Sequence, residues 1–377
     1  MSGALVGEAS GVSRQPLVTV VMAVHNNVDF IDEALTSLLR QSWRNLEIII
    51  VLDAPTDGTD RAIAGFEDQR LRVIKNERNV GQTASLKRGF QEAKGDYIAR
   101  LDGDDIALPG RIEKQVNFLE SHPNVGLLGG GCEVIDASGQ YLGSFRYPET
   151  DLQIRWMSLL ANPFGHPTVM LRRDVLDRHG FNYDEAYESA QDYELWTRIM
   201  VSTHVANLAE PLILYRVHED SATTKKRVTQ LRNHDAIALR TIRQQLPEFA
   251  ISPALISEMR ELFVGGTGCA KSFPRSHQIG LITWYLDLLD GFVEKHRAHS
   301  SIATLQREEA VRVARIWWDA RFGDGWLRLV KRFFSLSPSF SLAMIKALAG
   351  GLWRRIVRLF KGPSRPSRVP QLFGKCE

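Results

Sequence analysis

Three aspartates, Asp102, Asp104 and Asp105, stand almost side by side and are separated only by Gly103. The apolar residues 97–101, within the stretch GDYIARLDGDD, predict a short buried strand that leads straight into them. Carboxylates this close repel one another unless a cation lies among them, and oxygen ligands favour a hard ion such as Mg²⁺ or Mn²⁺. The pattern therefore predicts a metal site at a strand end; the alternative is a solvated acidic turn.

Strand and helix patterns alternate along residues 18–102. Runs of apolar and β-branched residues predict strands buried on both faces, as in a parallel sheet, and apolar residues at helical spacing predict helices between them. This order predicts a doubly wound α/β sheet whose ligands bind beyond the carboxyl ends of the strands. The predicted strands are 18–24, 46–52, 71–74 and 97–101, and a later one is predicted at 168–171. Thr59 is predicted to cap the helix that follows the second strand.

Polar side chains follow three of these strand ends, namely His25, Asp53 and the Asp102 group. An aspartate there can accept a charge-assisted hydrogen bond from a ring N–H, and a histidine offers a flat face. The alternatives are a turn cap at 57–58 for Asp53 and a plain surface role for His25. Because no G-x-G-x-x-G follows the first strand and no G-x-x-x-x-G-K-[ST] occurs, a dinucleotide enzyme and a P-loop phosphotransferase are disfavoured.

The pattern changes beyond the fourth strand. A helix is predicted after Pro109, a hairpin around 136–139 makes the sheet mixed, and Pro211 is predicted to break the chain before a strand at 212–215. Helices are then predicted from residues 227, 257 and 305, with a break at 265–268. The predicted domains are a disordered leader (1–16), an α/β domain (17–224), a helical region (225–325) and a basic amphipathic segment with its tail (326–377).

Composition is that of an ordinary globular protein, with 44% hydrophobic and 24% charged residues among 377. Three scattered cysteines predict neither a disulfide framework nor a zinc site, and they fit a reducing compartment. The apolar stretch at 340–353 falls short of the roughly 20 residues of a spanning helix. The sequence therefore predicts neither a signal peptide nor a transmembrane segment.

The net charge of +3 conceals a basic C-terminal end. Residues 326–361 hold eight Lys or Arg and no acid, and a helical wheel over 342–361 separates an apolar face from a cationic one. Such a segment is typical of a helix that lies on anionic lipid. The alternative is that the apolar face packs on the rest of the protein. No fold signature supports nucleic-acid binding.

Six sequence blocks, in this order, resemble those of family 2 glycosyltransferases with the GT-A fold. They are VVMAVHN, VLDAPTDGT, NVGQTASLKRGFQEAKGDYIARLDGDDIALPGR, GHPTVMLRR, QDYELWTR and LYRVH. The resemblance covers about residues 17–222, and nothing comparable covers the C-terminal third. It implies a Rossmann-like GT-A domain with a mixed sheet that transfers a sugar from a nucleotide donor.

The resemblance implies roles on the donor side. Ala23 and His25 would line the nucleotide base, and Asp53 would accept the uracil imide N–H. Asp102 would reach the ribose or a metal-bound water, and Gly165 would let its loop approach the donor sugar.

The implied metal ligands are Asp104 and Asp102, joined by His218 from the far end of the domain. A histidine ligand would favour Mn²⁺ over Mg²⁺. The alternative is that His218, which precedes two acidic residues, is an ordinary histidine without a metal role. Asp105 is expected to be a helix-capping neighbour.

The resemblance assigns the catalytic base to Asp192, where members usually have Glu-Asp and this chain has Gln191-Asp192. The alternative is a helix N-terminal carboxylate stabilised by the dipole, which is compatible with catalysis. His166 would touch acceptor or phosphate, or be structural. Lys87 could reach a phosphate, but a solvated lysine is favoured because relatives carry an arginine where Leu86 stands.

These expectations describe an inverting, metal-dependent glycosyltransferase that uses a UDP-sugar and a glycan or lipid-linked acceptor, in surface polysaccharide synthesis. The expected location is the cytoplasm, at the inner face of the membrane. Two other functions stay open. A sugar nucleotidyltransferase would need a glycine-rich basic loop where VHNNVDF stands, and a non-catalytic nucleotide-sugar or partner-binding module would not need Asp192.

Overall fold

The computed structural model describes residues 15–219, 227–264, 273–320, 332 and 340–347. Its strands are β1 (Val18–Val24), β2 (Leu46–Leu52), β3 (Leu71–Lys75), β4 (Tyr97–Arg100), β5 (Ile106–Ala107), β6 (Val125–Asp136), β7 (Tyr141–Phe145), β8 (Met170–Arg172) and β9 (His204–Val217). Its helices within the α/β part are α1 (Ile31–Leu39), α2 (Thr59–Ala64), α3 (Gln82–Glu92), α4 (Arg111–Ser121), α5 (Asp151–Met157), α6 (Arg173–His179) and α7 (Gln191–Ile199). The helices that follow are α8 (Arg227–Gln245), α9 (Pro253–Phe263), α10 (Arg275–Lys295) and α11 (Ile302–Ala320).

The strands form one mixed sheet in the order β3-β2-β1-β4-β8-β6-β9-β5, and β7 pairs with β6. The first four strands of this order are parallel, whereas β8 runs antiparallel to both β4 and β6. The predicted doubly wound α/β fold is confirmed. β2 and β3 are added on one side of β1, and β4 is added on the other side, so the strand order switches between β1 and β4. Folds of this kind bind their ligands at that switch point.

Apolar side chains bury both faces of the sheet. One face packs against α1 and α4, and the other against α3 and α7. Gly89 in α3 lies so close to the sheet that an added Cβ would stand 2.4 Å from a Val21 methyl carbon. A larger residue there would push α3 outward, and the N-terminus of α3 helps to form the site described below.

The helices after residue 226 share a separate core with α5. Trp156 of α5 contacts Tyr285 and Phe292 of α10, with ring centroids 5.3 Å apart in both pairs. Helix α8 begins at Arg227 as predicted, while α9 begins at Pro253, where the Ser252 hydroxyl caps it. The prediction omitted α10 entirely.

Three local predictions were wrong. Pro211 does not break the chain, because β9 runs through it and the register with β6 shifts around Gly131; proline is tolerated in strands at such irregularities. Thr59 does not cap α2, since Gly58 is the N-cap and the Asp57 carboxylate accepts the Thr59 N–H at 3.0 Å. The strand predicted from 168 begins only at Met170, after a short 3₁₀ turn.

Part of the C-terminal prediction can be compared with the structure. Residues 340–347 are helical; Phe340 and Met344 are buried in the helical core, while Leu342 and Ile345 are 54% and 50% exposed. Arg332 of the basic segment pairs with Asp287 and Asp290 of α10 at 2.9 and 2.7 Å. Most of the leader, the break at 265–268 and the remainder of the basic segment lie outside the described residues. Within the part that is described, no helix combines the length and the apolar character needed to cross a membrane.

Candidate active site

Asp53, just after β2, is buried, and its carboxylate organises the loop between β3 and α3. Oδ1 accepts hydrogen bonds from the Val80 N–H at 2.8 Å and the Asn76 amide at 2.9 Å, and Oδ2 accepts one from the Gly81 N–H at 2.8 Å. These bonds go to this loop and not to the turn at 57–58. Because each carboxylate oxygen has two lone pairs, Oδ2 can still accept one ring N–H.

His25 is exposed at the end of β1, two residues after the half-buried Ala23. Its Nδ1 lies 2.7 Å from the Asp53 carbonyl oxygen, and its Nε2 lies 3.1 Å from the Asn79 amide nitrogen. A carbonyl only accepts and an amide nitrogen only donates, so these partners assign the proton to Nδ1. The ring is therefore held at both nitrogens beside the strand end.

Asp102 is held by two side chains that meet its Oδ1. Arg100 Nη1 lies 2.6 Å away, and Gln82 Nε2 donates at 3.2 Å. Arg100 is 0% exposed. Burial raises the pKa of Asp102, Arg100 lowers it, and the charge of Asp104 raises it further. The buried guanidinium thus offsets the cost of gathering carboxylates at this strand end.

Asp104 and His218 meet although they are far apart in the chain. Oδ2 of Asp104 lies 2.9 Å from Nε2 of His218, which follows β9. The His218 ring packs against Phe30, with centroids 5.0 Å apart. The structure therefore brings together one of the two predicted metal-side aspartates and the predicted histidine.

Arg216 fastens the backbone around this pair. Its Nε donates to the Asp104 carbonyl at 2.9 Å, and its guanidinium lies 4.8 Å from the centre of the Phe30 ring. Its Nη1 donates to the carbonyls of Asp136 and Ala137, in the turn between β6 and β7, at 3.3 and 3.2 Å. One side chain thus connects three loops behind Asp104.

The expectation that Asp105 caps a helix is wrong. Helix α4 begins only at Arg111, and its N-cap is Gly110. Asp105 is buried, its Oδ1 accepts the Arg216 N–H at 2.9 Å, and burial raises its pKa well above the usual range. It is a structural link between β5 and β9.

Asp192 lies in the first turn of α7. Its Oδ2 accepts a hydrogen bond from the Asn162 amide at 2.6 Å. Burial raises the pKa of Asp192, while the Tyr193 N–H, Asn162 and Arg100 act in the opposite direction. A buried carboxylate with a raised pKa accepts a proton more readily than a solvated one, provided that it is ionised.

Two glutamines join the Asp102 side of the site to the Asp192 side. Gln191 Nε2 donates to Gln82 Oε1 at 3.0 Å, and Gln82 Nε2 donates to Asp102. An ionised carboxylate only accepts, so Asp102 fixes the orientation of the Gln82 amide, and Gln82 in turn requires a donor at position 191. Because Gln191 immediately precedes Asp192, the two halves share one hydrogen-bonded chain.

The glycine loop supplies His166 next to Gly165. His166 Nε2 lies 2.8 Å from the Tyr183 hydroxyl, and burial lowers the pKa of this histidine well below its usual range, so the ring is neutral. A Cβ on Gly165 would stand 3.2 Å from the Tyr147 ring. Packing within the protein therefore already requires a small residue at 165, before any contact with a sugar is considered.

Lys87 is partly exposed. Its Nζ pairs with Glu185 at 2.6 Å, and the two side chains are 36% and 55% exposed. A phosphate contact would require this pair to open.

Sequence reasoning missed Arg100, Gln82 and Asn162. A signal for Arg100 was present, because an arginine inside an apolar strand pattern must be buried with a partner, and Asp102 is two residues away. Gln82 and Asn162 carried no such signal, since a polar residue at a helix start or in a loop is ordinary.

The residues present fit a divalent cation. Among the described residues no group of three or more His, Cys, Asp or Glu side chains is close enough to hold a metal. Mg²⁺ and Mn²⁺ at phosphate sites are commonly bound by one or two protein ligands, with phosphate oxygens and water completing the shell. Asp104 and His218, already 2.9 Å apart, are suitable donors for such a site.

Solved structures share this fold. One is TarS 1-349 from S. aureus in complex with UDP-GlcNAc, 16% identical, covering 81% of this chain and 89% of that one, with a TM-score of 0.50. Another is the mannosyltransferase PcManGT from Pyrobaculum calidifontis in complex with GDP-Man and Mn²⁺, 17% identical, covering 91% and 89%, also at 0.50. At these identities the likeness shows the fold alone, and it confirms the GT-A class.

Sequence comparison gives the family. The model of Glycosyl transferase family 2 matches residues 19–180. A putative glycosyltransferase, EpsE of Bacillus subtilis, is 36% identical over 56% of this chain and 76% of its own length. An uncharacterized glycosyltransferase of Haemophilus influenzae is 32% identical over 55% and 68%. The chain belongs to glycosyltransferase family 2, and it is a glycosyltransferase.

Proposed function

We propose that this enzyme is an inverting, metal-dependent glycosyltransferase that uses a UDP-sugar and glycosylates a hydroxyl of a glycan or lipid-linked acceptor. Relatives named for amylovoran biosynthesis in Erwinia amylovora and for O-antigen biosynthesis in Escherichia coli support a role in surface polysaccharide synthesis. The observation that carries the proposal is the chain of hydrogen bonds from Asp102 through Gln82 and Gln191 to the helix turn of Asp192.

The donor occupies the carboxyl ends of β1, β2 and β4 in this proposal. The base of the nucleotide lies against Ala23 and the fixed ring of His25, and its imide N–H meets the open lone pair of Asp53 Oδ2. Asp102 faces the ribose or a metal-bound water. Arg100 beneath it favours the ionised form of Asp102 and so opposes the effect of burial.

The diphosphate lies next to Asp104 and His218. A divalent cation held by these two residues would supply electrostatic stabilisation to the departing diphosphate. The chain itself fixes that position, because Arg216 holds the Asp104 backbone and Phe30 packs on His218.

Asp192 takes the proton of the acceptor hydroxyl as its oxygen attacks the anomeric carbon from the face opposite the diphosphate. The carbon–oxygen bond to the diphosphate breaks in the same displacement, so the configuration at that carbon inverts. Asn162 orients the carboxylate, and the raised pKa suits its role as a base. The neutral His166 and the backbone at Gly165 flank the space for sugar or acceptor.

A panel of UDP- and GDP-sugars with MnCl₂ or MgCl₂ tests the donor assignment. We expect a UDP-sugar with Mn²⁺ to give the largest thermal stabilisation and to be hydrolysed slowly to UDP, and nuclear magnetic resonance to find the opposite anomer in the product. Stabilisation by GDP-mannose alone would refute the uridine assignment. Release of pyrophosphate from a sugar phosphate and UTP would indicate a nucleotidyltransferase, and binding without hydrolysis a non-catalytic module.

The segment 326–361 is the basis of a second proposal, that the enzyme attaches reversibly to the inner face of the cell membrane. The exposed Leu342 and Ile345 lie within the helical turn that precedes Lys346, a combination suited to an anionic lipid surface. In flotation with phosphatidylglycerol vesicles, the full chain should float and a Leu342→Ser, Ile345→Ser double variant should float less. Equal flotation of the two would refute lipid contact through these residues.

A further inference from the structure

Helix α8 lies outside the matched family domain but contacts the turn that presents Asp192. Asn233 donates to the Ser189 carbonyl at 2.9 Å. Ile237 packs with Ala190 and Tyr193 in a small buried cluster, and the His234 ring lies 5.2 Å from that of Tyr193. These contacts fall on residues 189, 190 and 193, on both sides of Asp192 in the chain.

One more contact continues along α7. Arg240 Nη1 pairs with Glu194 Oε1 at 3.0 Å, and Arg240 Nη2 donates to the Thr197 hydroxyl at 2.8 Å. The Glu194 carboxylate is only 3% exposed and also pairs with Arg198. The first two turns of α7 are therefore fastened to α8 by an ion pair whose carboxylate is buried and whose guanidinium is 32% exposed.

The turn requires such support because its backbone is unfavourable. Ala190, the N-cap of α7, has φ of 61° and ψ of 21°, a left-handed conformation that a residue with a Cβ rarely adopts. Conformations of this kind persist where the surroundings impose them, and they occur often at functional sites. Ile237 covers Ala190 directly.

Helix α8 uses a different face to hold its own region together. Ala238, Ile242 and Leu246, at spacings of four residues, point into the core of the helical region. Asn233 and Arg240 are not needed for that core. Their polar contacts therefore join α8 to α7 and the turn before it, and they are not part of the apolar core of the helical region.

We infer that α8 is a positioning element of the active site, with Asn233 and Arg240 holding the 189–194 turn so that Asp192 meets the acceptor hydroxyl. The inference rests on the proposed role of Asp192. The C-terminal helical region would then affect the rate of catalysis, because a displacement of about 1 Å in a reacting group can slow turnover on the order of 10²-fold.

The test uses the full chain with two substitutions, each on one contact. Asn233→Asp keeps the size of the side chain but cannot donate to the Ser189 carbonyl, and Arg240→Gln removes the charge beside Glu194. The matched control is Asn117→Asp, the same chemical change at an exposed position of α4. Turnover is measured as UDP release from the best UDP-sugar of the panel, and donor-site binding as the Kd of UDP with MnCl₂ by calorimetry.

We expect each α8 variant to lower kcat by at least about tenfold while the Kd of UDP changes by less than about twofold, because only the base is displaced. Asn117→Asp should match the parent chain in both. The inference is overturned if both variants keep the parent kcat, or if Kd weakens in step with kcat. Asp192→Asn, measured in parallel, separates a failure of the proposed base from a failure of the α8 inference. If Asp192→Asn stays active, the base assignment is wrong. If Asp192→Asn is inactive and the α8 variants are fully active, only the inference about α8 is rejected.

Discussion

The two sides of the active site are built in different ways. On the donor side, Asp53 follows β2, and Asp102 and Asp104 follow β4, the two parallel strands on either side of β1; the partners of Asp53 and Asp102 lie within the first 105 residues. On the base side, Asp192 depends on Asn162 and, through its turn, on α3 and on α8. Strand order therefore places the donor-side carboxylates, with only His218 and Arg216 joining Asp104 from β9, whereas the position of the base depends throughout on contacts between distant parts of the chain.

This difference implies that binding and turnover can be lost separately. A change that loosens the helices should leave the strand ends intact, so nucleotide would still bind. A change at the strand ends should weaken nucleotide binding first. The predictions below separate the two sides, beginning with the largest expected effect.

Asp192→Asn removes the base while keeping its shape and its neighbours. We expect transfer to fall about 10³-fold, the usual contribution of a general base, and the Kd of UDP with Mn²⁺ to stay unchanged. Steady-state kinetics and calorimetry on the same preparation measure both. Normal turnover by this variant would mean that another group takes the proton.

Asp104→Ala acts on the other side. Loss of one of two protein ligands should weaken Mn²⁺-dependent UDP binding, and the loss of electrostatic stabilisation should lower kcat by roughly 10²-fold. Asp60→Ala, which removes an exposed carboxylate from α2, is the control. If Asp104→Ala bound UDP and Mn²⁺ as tightly as Asp60→Ala does, the metal would have to lie elsewhere.

Gln191→Glu tests the connection between the sides. A carboxylate at 191 cannot donate to Gln82 Oε1, and turning the Gln82 amide would set its oxygen against Asp102. Both arrangements leave a repulsive contact, and we expect kcat to fall about tenfold, with a smaller rise in the Kd of UDP. Gln191→Ala, which removes the contact without adding charge, should be milder. Equal activity of the Glu variant and the parent would show that the two sides work independently.

The pH profile reports on Asp192 directly. Burial raises its pKa, so turnover should fall on the acid side at a higher pH than for a solvated carboxylate, because only the ionised form accepts a proton. Asn162→Ala removes a hydrogen bond to the ionised form and should raise the pKa further, moving the acid limb upward by about one pH unit or less. An acid limb that stays in place would argue that Asn162 does not act on the carboxylate.

Lys87→Ala should have the smallest effect. Its pair with Glu185 lies at the surface, with the two side chains 36% and 55% exposed, and surface pairs contribute less than about 1 kcal/mol. We expect parental UDP affinity, parental kcat and an unchanged melting temperature. A rise in the Kd of UDP would instead revive a phosphate contact for this lysine.

The parallel half of the fold was predictable because its pattern is local. β1 and β2 begin and end where the apolar runs do, and the alternation of strands and helices determines which carboxylates share an edge. The later half was less predictable. β9 runs through Pro211, and the shift that accommodates it depends on the partner strand β6, which the local sequence does not reveal.

The site was predictable to the same extent. The carboxylates stand at positions that the sequence pattern identifies, but the residues around them come from distant parts of the chain through tertiary contacts. Asp105 looked like a further member of the acidic group and is instead buried against β9. Asn233 and Arg240 could not be connected with Asp192 at all, because their contacts span 44 and 46 residues and follow no local pattern.

The hydrogen bonds from Arg216 to the turn between β6 and β7 have a consequence for protein engineering. The guanidinium binds the main-chain carbonyls of Asp136 and Ala137, which every amino acid carries. The side chains of Ala137, Ser138 and Gln140 can therefore be exchanged, provided that Asp136, whose Oδ1 accepts the Ser138 and Gln140 N–H groups, and Gly139, with φ of 85°, are kept. Inserting or deleting a residue there would shift the carbonyls and disturb the loop of Asp104. A library that varies sequence at fixed loop length should keep active clones, and one that varies the length should lose them.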